Sequence, residues 1–280
     1  MSTVCISFLG PWKFTLLDAP FGQTLFVRFK SCVPSADEQV AEFGEPAAAF
    51  STLLASRCPS HASLRGFMNE TRARIEAVAI GASTGGPEAL AELIAKLPGD
   101  FPVPILIVQH MPPKFTRHFA ERLDALTSLS VREGEAGQKL YGGQVWVAAG
   151  DYHMTVLRRG KEVILMTNQR PPEQGCRPSV DVLFRSMAST YGCHGLGVVL
   201  TGMGADGTSG SQAIWEAGGE IIVQDEATSA IWGMPGRVVA AGLARSVCPL
   251  SSVPFAIMSR VYANWLPSND APGRCSEIKA

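Results

Sequence analysis

The chain has 280 residues, of which 46% are hydrophobic and 18% are charged. This composition supplies enough apolar side chains for a large core and excludes an intrinsically disordered chain. Its 24 Lys and Arg residues balance 25 Asp and Glu residues to a net charge of −1, and this balance argues against a nucleic-acid-binding protein.

Cysteine spacing and hydropathy predict the cellular compartment of the protein. The seven cysteines are widely spaced and form no C-x-x-C pair, a pattern typical of reduced thiols that predicts neither a zinc site nor a disulfide framework. No apolar run approaches the roughly 18 residues of a membrane span. The N-terminus lacks a basic start and is interrupted by Pro11 and Lys13, unlike a signal peptide. The sequence therefore predicts a cytoplasmic protein without membrane insertion.

Three regions differ in their patterning. Residues 1–70 show no sustained period of 2 or 3.6, so they predict a separate N-terminal segment with little core of its own. Residues 71–266 alternate between strand-like and helix-like runs and form the predicted main domain. Residues 267–280 are a polar tail.

The main domain begins with two strand–helix cycles, predicted as strand 75–82, helix 87–97, strand 103–109 and helix 114–126. Three short strands follow, which we expect to form an antiparallel flank: 144–149, 155–159 and 162–167. The alternation then resumes with helix 179–191, strand 197–201, helix 208–217, strand 220–224 and helices 235–241 and 252–263. Strands that are apolar along their whole length predict an α/β fold, a doubly wound and mostly parallel sheet with helices on both faces.

The first strand ends in Gly-Ala-Ser-Thr-Gly-Gly at residues 81–86, a G-x-S-x-G pattern between a strand and a helix. A nucleophilic serine needs such a turn, because the turn exposes its hydroxyl beside the free N–H groups of the helix. Ser83 is therefore a candidate nucleophile. The plainer alternative is a strand-to-helix turn whose serine caps the helix. A phosphate-binding loop is disfavoured because Ser83 occupies the place of that motif's second glycine.

Two further strand ends carry catalytic residue types. His110 closes the second strand, ahead of two prolines, and Asp206 lies in the glycine-rich turn after strand 197–201. A surface histidine and an aspartate that caps helix 208–217 are the alternatives. Because parallel strands end at one edge of a sheet, we expect Ser83, His110 and Asp206 to meet there as a nucleophile, a base and an orienting carboxylate.

Several longer stretches resemble the catalytic domain of bacterial chemotaxis protein-glutamate methylesterases: GASTGGPEAL (81–90), QHMPPKFTRHFAERL (109–123), AAGDYHM (148–154), RPSVDVLF (177–184), LTGMGADG (200–207) and QDEATSAIWGMP (224–235). The resemblance runs from about residue 75 to 263, in order and without large gaps. It implies that Ser83 is the nucleophile, His110 the base and Asp206 the orienting acid. It also implies an oxyanion hole made by the backbone N–H groups of Thr84 and Met203.

By resemblance, the substrate is a glutamate γ-methyl ester on the cytoplasmic domain of a methyl-accepting chemoreceptor, and glutamine deamidation is a second activity. No metal or organic cofactor is implied. Two-domain relatives carry a receiver domain ahead of this one, and residues 1–70 are too short and lack its acidic cluster. The alternative function is a non-catalytic scaffold that binds receptors or signalling partners.

Two other residues remain open at this stage. Arg177 precedes helix 179–191 and either contacts an acidic receptor surface or forms a structural ion pair. Cys176 beside it could imitate a cysteine nucleophile, but no base lies at a comparable strand end.

Overall fold

The computed structural model describes residues 4–6, 12–17, 26–31 and 73–263. The chain divides into two compact units, Met1–Glu70 and Thr71–Ala280. In the first unit, strands β1 (Val4–Ile6), β2 (Trp12–Leu17) and β3 (Phe26–Ser31) form an antiparallel sheet in that order. The sequence predicts no strand there, because residues 1–70 show no sustained alternation of apolar and polar residues. The predicted boundaries at 70 and 266 stay predictions, and the tail lies outside the described residues.

The second unit is built on seven parallel strands. They are β4 (Ala77–Ala82), β5 (Ile105–Gln109), β6 (Ser130–Glu133), β7 (Gln144–Val147), β10 (Gly195–Val199), β11 (Glu220–Gln224) and β12 (Ser246–Cys248). Their order is β12-β11-β10-β4-β5-β7-β6, and every neighbouring pair is parallel. The predicted doubly wound parallel sheet is confirmed.

Helices cover both faces of this sheet. They are α1 (Gly86–Ile94), α2 (Pro113–Asp124), α3 (Val180–Tyr191), α4 (Thr208–Glu216), α5 (Met234–Ala240) and α6 (Val253–Tyr262). Helices α1, α2 and α6 share one apolar cluster with alternate residues of β4, and α3, α4 and α5 share the other. None of the helices in the described part of the chain is long and apolar enough to cross a membrane.

An antiparallel hairpin flanks the sheet, formed by β8 (His153–Arg159) and β9 (Glu162–Asn168). Apolar residues of both strands join the α3 side of the core. The expectation that 144–149 belongs to this flank is wrong, because Gln144–Val147 pairs in parallel with β5 and β6. Its strand is buried along most of its length, as a central parallel strand requires.

Candidate active site

Three neighbouring strand ends form the candidate active site. The chain winds from β4 to β5 on one side and from β10 to β11 on the other, so the strand order reverses at the β4–β10 boundary. Ser83 follows β4, His110 follows β5, and the 201–207 loop follows β10. In open α/β sheets this reversal leaves a crevice at the carboxyl ends of the strands, where ligands bind.

Ser83 lies in a tight turn between β4 and α1. Its N–H donates to the Thr201 carbonyl at 3.0 Å, and its carbonyl accepts from Gly86 N at 2.8 Å. Gly85 has φ 78°, a conformation that favours glycine. These bonds hold Ser83 at the sheet edge with a half-buried side chain.

The first glycine of the G-M-G turn allows close approach to Ser83. A Cβ at Gly202 would lie 2.8 Å from the Ser83 Cβ and 3.1 Å from its nitrogen. A Cβ–Cβ distance under 3.0 Å is essentially never seen in proteins, so a larger residue at 202 would push the turn after β10 away from Ser83.

His110 and Asp206 are directly bonded. The distance from His110 Nε2 to Asp206 Oδ2 is 2.8 Å, and the two side chains are 14% and 3% exposed. The acceptor at Nε2 favours the tautomer with its proton there, which leaves the lone pair on Nδ1. The predicted base and orienting carboxylate are therefore brought together, with Nδ1 as the nitrogen that can accept a proton.

Asp206 is anchored at the start of α3. Its carboxylate accepts from Val180 N at 2.7 Å, Asp181 N at 2.9 Å and the Ser179 hydroxyl at 2.8 Å. Burial by itself raises a carboxyl pKa, but the bonds from His110 and the α3 N-terminus outweigh it and hold the pKa of Asp206 below its usual range. The Asp206 oxygens accept a hydrogen bond from Gly207 N but from no N–H group of α4. The alternative in which Asp206 caps helix 208–217 is therefore wrong.

His110 carries an unusually basic imidazole. Burial opposes the charged form, but the hydrogen bond to Asp206 and the contact with Cys176 outweigh burial and raise the pKa of His110 to about 9. The imidazolium is therefore the resting form at neutral pH. His110 must lose the proton on Nδ1 before it can accept one from a nucleophile.

The Ser83 hydroxyl makes no hydrogen bond to any described residue, His110 included. The thiol of Cys176 faces His110 Nδ1 instead, at 3.6 Å. The expectation that Cys176 lacks a base at a comparable strand end is wrong, because the 169–178 segment returns from β9 and brings the thiol to His110 at the end of β5. Catalytic hydrogen bonds often tighten only when substrate is present, so the missing contact does not exclude Ser83.

Gln109 ties the nucleophile turn to the base. Its buried side-chain amide donates to the carbonyl of Ser83 at 2.9 Å and to the carbonyl of His110 at 3.1 Å. The sequence does not predict this role for Gln109, since a polar residue at the end of an apolar strand is its only signal.

Two backbone N–H groups in the turns after β4 and β10 have no partner among the described residues. The N–H groups of Thr84 and Met203 donate to no acceptor within the described residues. The Met203 side chain is 73% exposed, so the turn that carries it is open to solvent. Both N–H groups are thus available to bind a developing oxyanion.

His110, Cys176 and Asp206 also offer three metal-ligand atoms within 4.8 Å of one another. The Asp206 oxygens, however, already accept five hydrogen bonds, from Ser179, Val180, Asp181, Gly207 and His110. A carboxylate has about four acceptor positions, so these five donors leave none for a metal ion. His110 and Cys176 alone are too few ligands to hold a metal ion firmly.

Arg177 forms a structural ion pair. Its Nε and Nη2 donate to one oxygen of Asp151, and its Nη1 donates to the carbonyls of Gln169 and Arg170. Of the two alternatives left open by the sequence, the structure favours this one. The guanidinium fixes the segment that carries Cys176 against the start of the hairpin.

The fold and the site define a parallel α/β protein whose sheet edge presents a serine, a histidine–aspartate pair and two unpaired backbone donors. A model of the CheB methylesterase family matches residues 78–257. The chain belongs to this family.

Named relatives agree with this assignment. A protein-glutamate methylesterase/protein-glutamine glutaminase of Trichodesmium erythraeum is 52% identical over 188 residues, 67% of this chain and 53% of the relative. One from Pyrococcus horikoshii is 47% identical over 186 residues, 66% of this chain and 50% of the relative. The chain spans about half the length of the curated relatives it matches. The crystal structure of the Thermotoga maritima CheB methylesterase catalytic domain superposes with a TM-score of 0.65 at 37% identity, covering 67% of this chain and 99% of that domain.

Proposed function

We propose that the chain hydrolyses glutamate γ-methyl esters on the cytoplasmic domains of methyl-accepting chemoreceptors and deamidates glutamines at such sites. The observation that carries the proposal is the bonded His110–Asp206 pair beside the Ser83 turn, in a chain that matches the CheB methylesterase family. Both reactions are acyl transfers at a glutamyl carbonyl, and the same groups serve both.

In the first half-reaction, which starts from neutral His110, the Ser83 hydroxyl attacks the ester carbonyl and passes its proton to Nδ1. The N–H groups of Thr84 and Met203 stabilise the oxyanion, and the imidazolium then protonates the leaving methanol or ammonia. Asp206 keeps the other ring nitrogen protonated and stabilises the positive charge. Water repeats the cycle on the glutamyl-serine ester and releases the carboxylate.

The resting arrangement must change before this chemistry. Substrate binding has to bring the Ser83 hydroxyl to Nδ1, the nitrogen that faces Cys176. Burying the crevice under a substrate also removes water, which strengthens the bonds to the oxyanion.

The test is methanol release from a methylated receptor cytoplasmic fragment. We expect release by the full chain and its near loss in His110→Ala, whereas His118→Ala serves as a matched control because His118 is an exposed residue of α2 paired with Glu121. A chain that binds the receptor fragment without releasing methanol or ammonia would instead be the scaffold of the alternative hypothesis.

A further inference from the structure

The thiol of Cys176 lies at the working nitrogen of the proposed base. Its Sγ is 3.6 Å from His110 Nδ1 and 3.8 Å from the carbonyl of Gln174. The residue is half-buried and therefore reachable from the crevice. Because Asp206 occupies Nε2, the sulfur faces the nitrogen to which Ser83 must give its proton.

This geometry makes a thiol–imidazole–carboxylate series. The His110 imidazolium faces the sulfur at 3.6 Å, so the thiolate that forms when Cys176 gives its proton to solvent lies beside a positive charge, which Asp206 stabilises from the other side. A neighbouring imidazolium stabilises a thiolate, and the thiolate is the form that attacks electrophiles and disulfides.

We propose that Cys176 is a thiol modification site, and that its mixed disulfide with a low-molecular-weight disulfide blocks His110. The second half of this inference rests on the proposed function, because it takes His110 as the base for Ser83. The first half, the reactivity of the thiol, does not depend on any esterase activity.

The exchange is balanced without a further oxidant. The Cys176 thiolate attacks one sulfur of the small disulfide, a new S–S bond forms, and the old S–S bond breaks. The second sulfur leaves as a thiolate that takes a proton from solvent, and the original thiol proton has gone to solvent, so protons balance and His110 stays an imidazolium. The attached group then occupies the space through which Ser83 must approach Nδ1.

Two other free cysteines in the described part of the chain provide the comparison. Cys193 and Cys248 are also half-buried, but neither faces a histidine ring. Burial and the charge of Asp225 raise the pKa of the Cys248 thiol, which reduces its thiolate fraction. Similar exposure with a different electrostatic setting makes Cys248 the internal reference.

The experiment treats the full chain with oxidised glutathione at neutral pH and follows each cysteine by peptide mass mapping. We expect Cys176 to form its mixed disulfide several-fold faster than Cys248, since the imidazole ring 3.6 Å from its sulfur stabilises the attacking thiolate, whereas burial and Asp225 disfavour the Cys248 thiolate. We also expect His110→Gln to slow the reaction of Cys176 and leave that of Cys248 unchanged. Equal rates at both cysteines, or no effect of His110→Gln, would overturn the assignment of a reactive thiol.

A second readout tests the blockade without a receptor substrate. A fluorophosphonate probe should label Ser83 in the reduced chain, lose most of that labelling after glutathione treatment, and regain it with dithiothreitol. In Cys176→Ser the labelling should resist the treatment, whereas Cys193→Ser should behave like the unaltered chain. Labelling that persists on a chain modified at Cys176 would overturn the blockade. Failure of the probe to label Ser83 even in the reduced chain would count against Ser83 and the proposed function, and the blockade would then be withdrawn with it.

Discussion

The Asp206 carboxylate binds the N-terminus of α3, and the Asp181 carboxylate binds the N-terminus of α4. Asp206, just before α4, accepts from Val180 N and Asp181 N of α3. Asp181, in the first turn of α3, accepts from Gly207 N and Gly210 N at 2.9 and 2.6 Å. Two helix N-termini thus stabilise two buried carboxylates. The exchange fixes the Asp206 loop against α3, so the partner of His110 is held by the scaffold.

Asp206→Asn should lower methanol release by roughly 10²–10⁴-fold, because an amide can hold His110 in the wrong tautomer and cannot stabilise the imidazolium. Initial rates at substrate concentrations well below KM measure this. Asp225→Asn is the matched control, since Asp225 lies in the loop after β11 and bonds Thr228. A near-normal rate for Asp206→Asn would reduce Asp206 to a structural residue.

The acid limb of kcat/KM should lie well above the value of free imidazole. The sequence alone predicts an apparent pKa near the ~6.5 of an unperturbed histidine, but Asp206 and Cys176 raise the pKa of His110 to about 9. Activity requires neutral His110, so the rate should climb as pH rises toward that value. Cys176→Ala removes one raising contact and should move the limb to lower pH. An unchanged limb in Cys176→Ala would show that the thiol does not act on His110.

The same shift links stability to pH. Because the folded pKa of His110 is raised to about 9, its contribution is fully present below ~6.5, the unfolded value, and is lost as pH rises through the folded value. The contribution is on the order of 3 kcal/mol at most. Urea unfolding of the natural chain and His110→Gln at pH 6, 8 and 10 should therefore give a difference in unfolding free energy that shrinks with pH. A difference that grows with pH would contradict the assigned shift.

Ser179→Ala should weaken both the fold and the site. The Ser179 hydroxyl donates to Asp206 at 2.8 Å and accepts from Val182 N at the start of α3. Losing a buried hydrogen bond to a charged group costs about 1–3 kcal/mol. We expect a lower unfolding free energy and a fall in kcat/KM, together with a displaced pH profile that a purely structural loss would not produce. Ser259→Ala, at an exposed serine of α6, is the control.

Removal of residues 1–70 should leave the second unit folded. The seven-stranded sheet takes all its strands from Ala77 to Cys248, and the strands of the first unit form a sheet of their own. A chain that starts at Thr71 is expected to unfold cooperatively and to release methanol within a few-fold of the full chain. Loss of cooperative unfolding would mean that the first unit supplies part of the core, and strong activation would make it an inhibitory segment.

The strand ends could be predicted because their cause is local. Buried apolar runs fix β4, β5 and β10, and parallel pairing then brings their carboxyl ends to one edge, with Ser83, His110 and Asp206 after them. Helix boundaries also followed from local signals. Serine favours the N-cap position, for example, and Ser179 caps α3.

The remaining features depend on contacts between distant parts of the chain. Cys176 reaches His110 only because the loop after β9 crosses the sheet edge, 66 residues away in sequence. Strand β6 was missed because only one of its four residues is buried. Strand β7 was assigned to the hairpin because it precedes β8 in sequence, whereas its parallel register with β5 is set by tertiary packing.

The central claim is that Ser83 is the nucleophile, and the most direct measurement compares methanol release by Ser83→Ala, Cys176→Ala and the control Ser259→Ala. Loss of a triad member typically costs on the order of 10⁴–10⁶ in rate, so Ser83→Ala should lose nearly all activity. The same variant should keep its unfolding free energy within about 0.5 kcal/mol, because the Ser83 hydroxyl makes no hydrogen bond to any residue that the structure describes. Cys176→Ala should still release methanol. If Ser83→Ala retains most of the activity and Cys176→Ala abolishes it, the thiol beside His110 is the nucleophile and the account given for Ser83 is wrong.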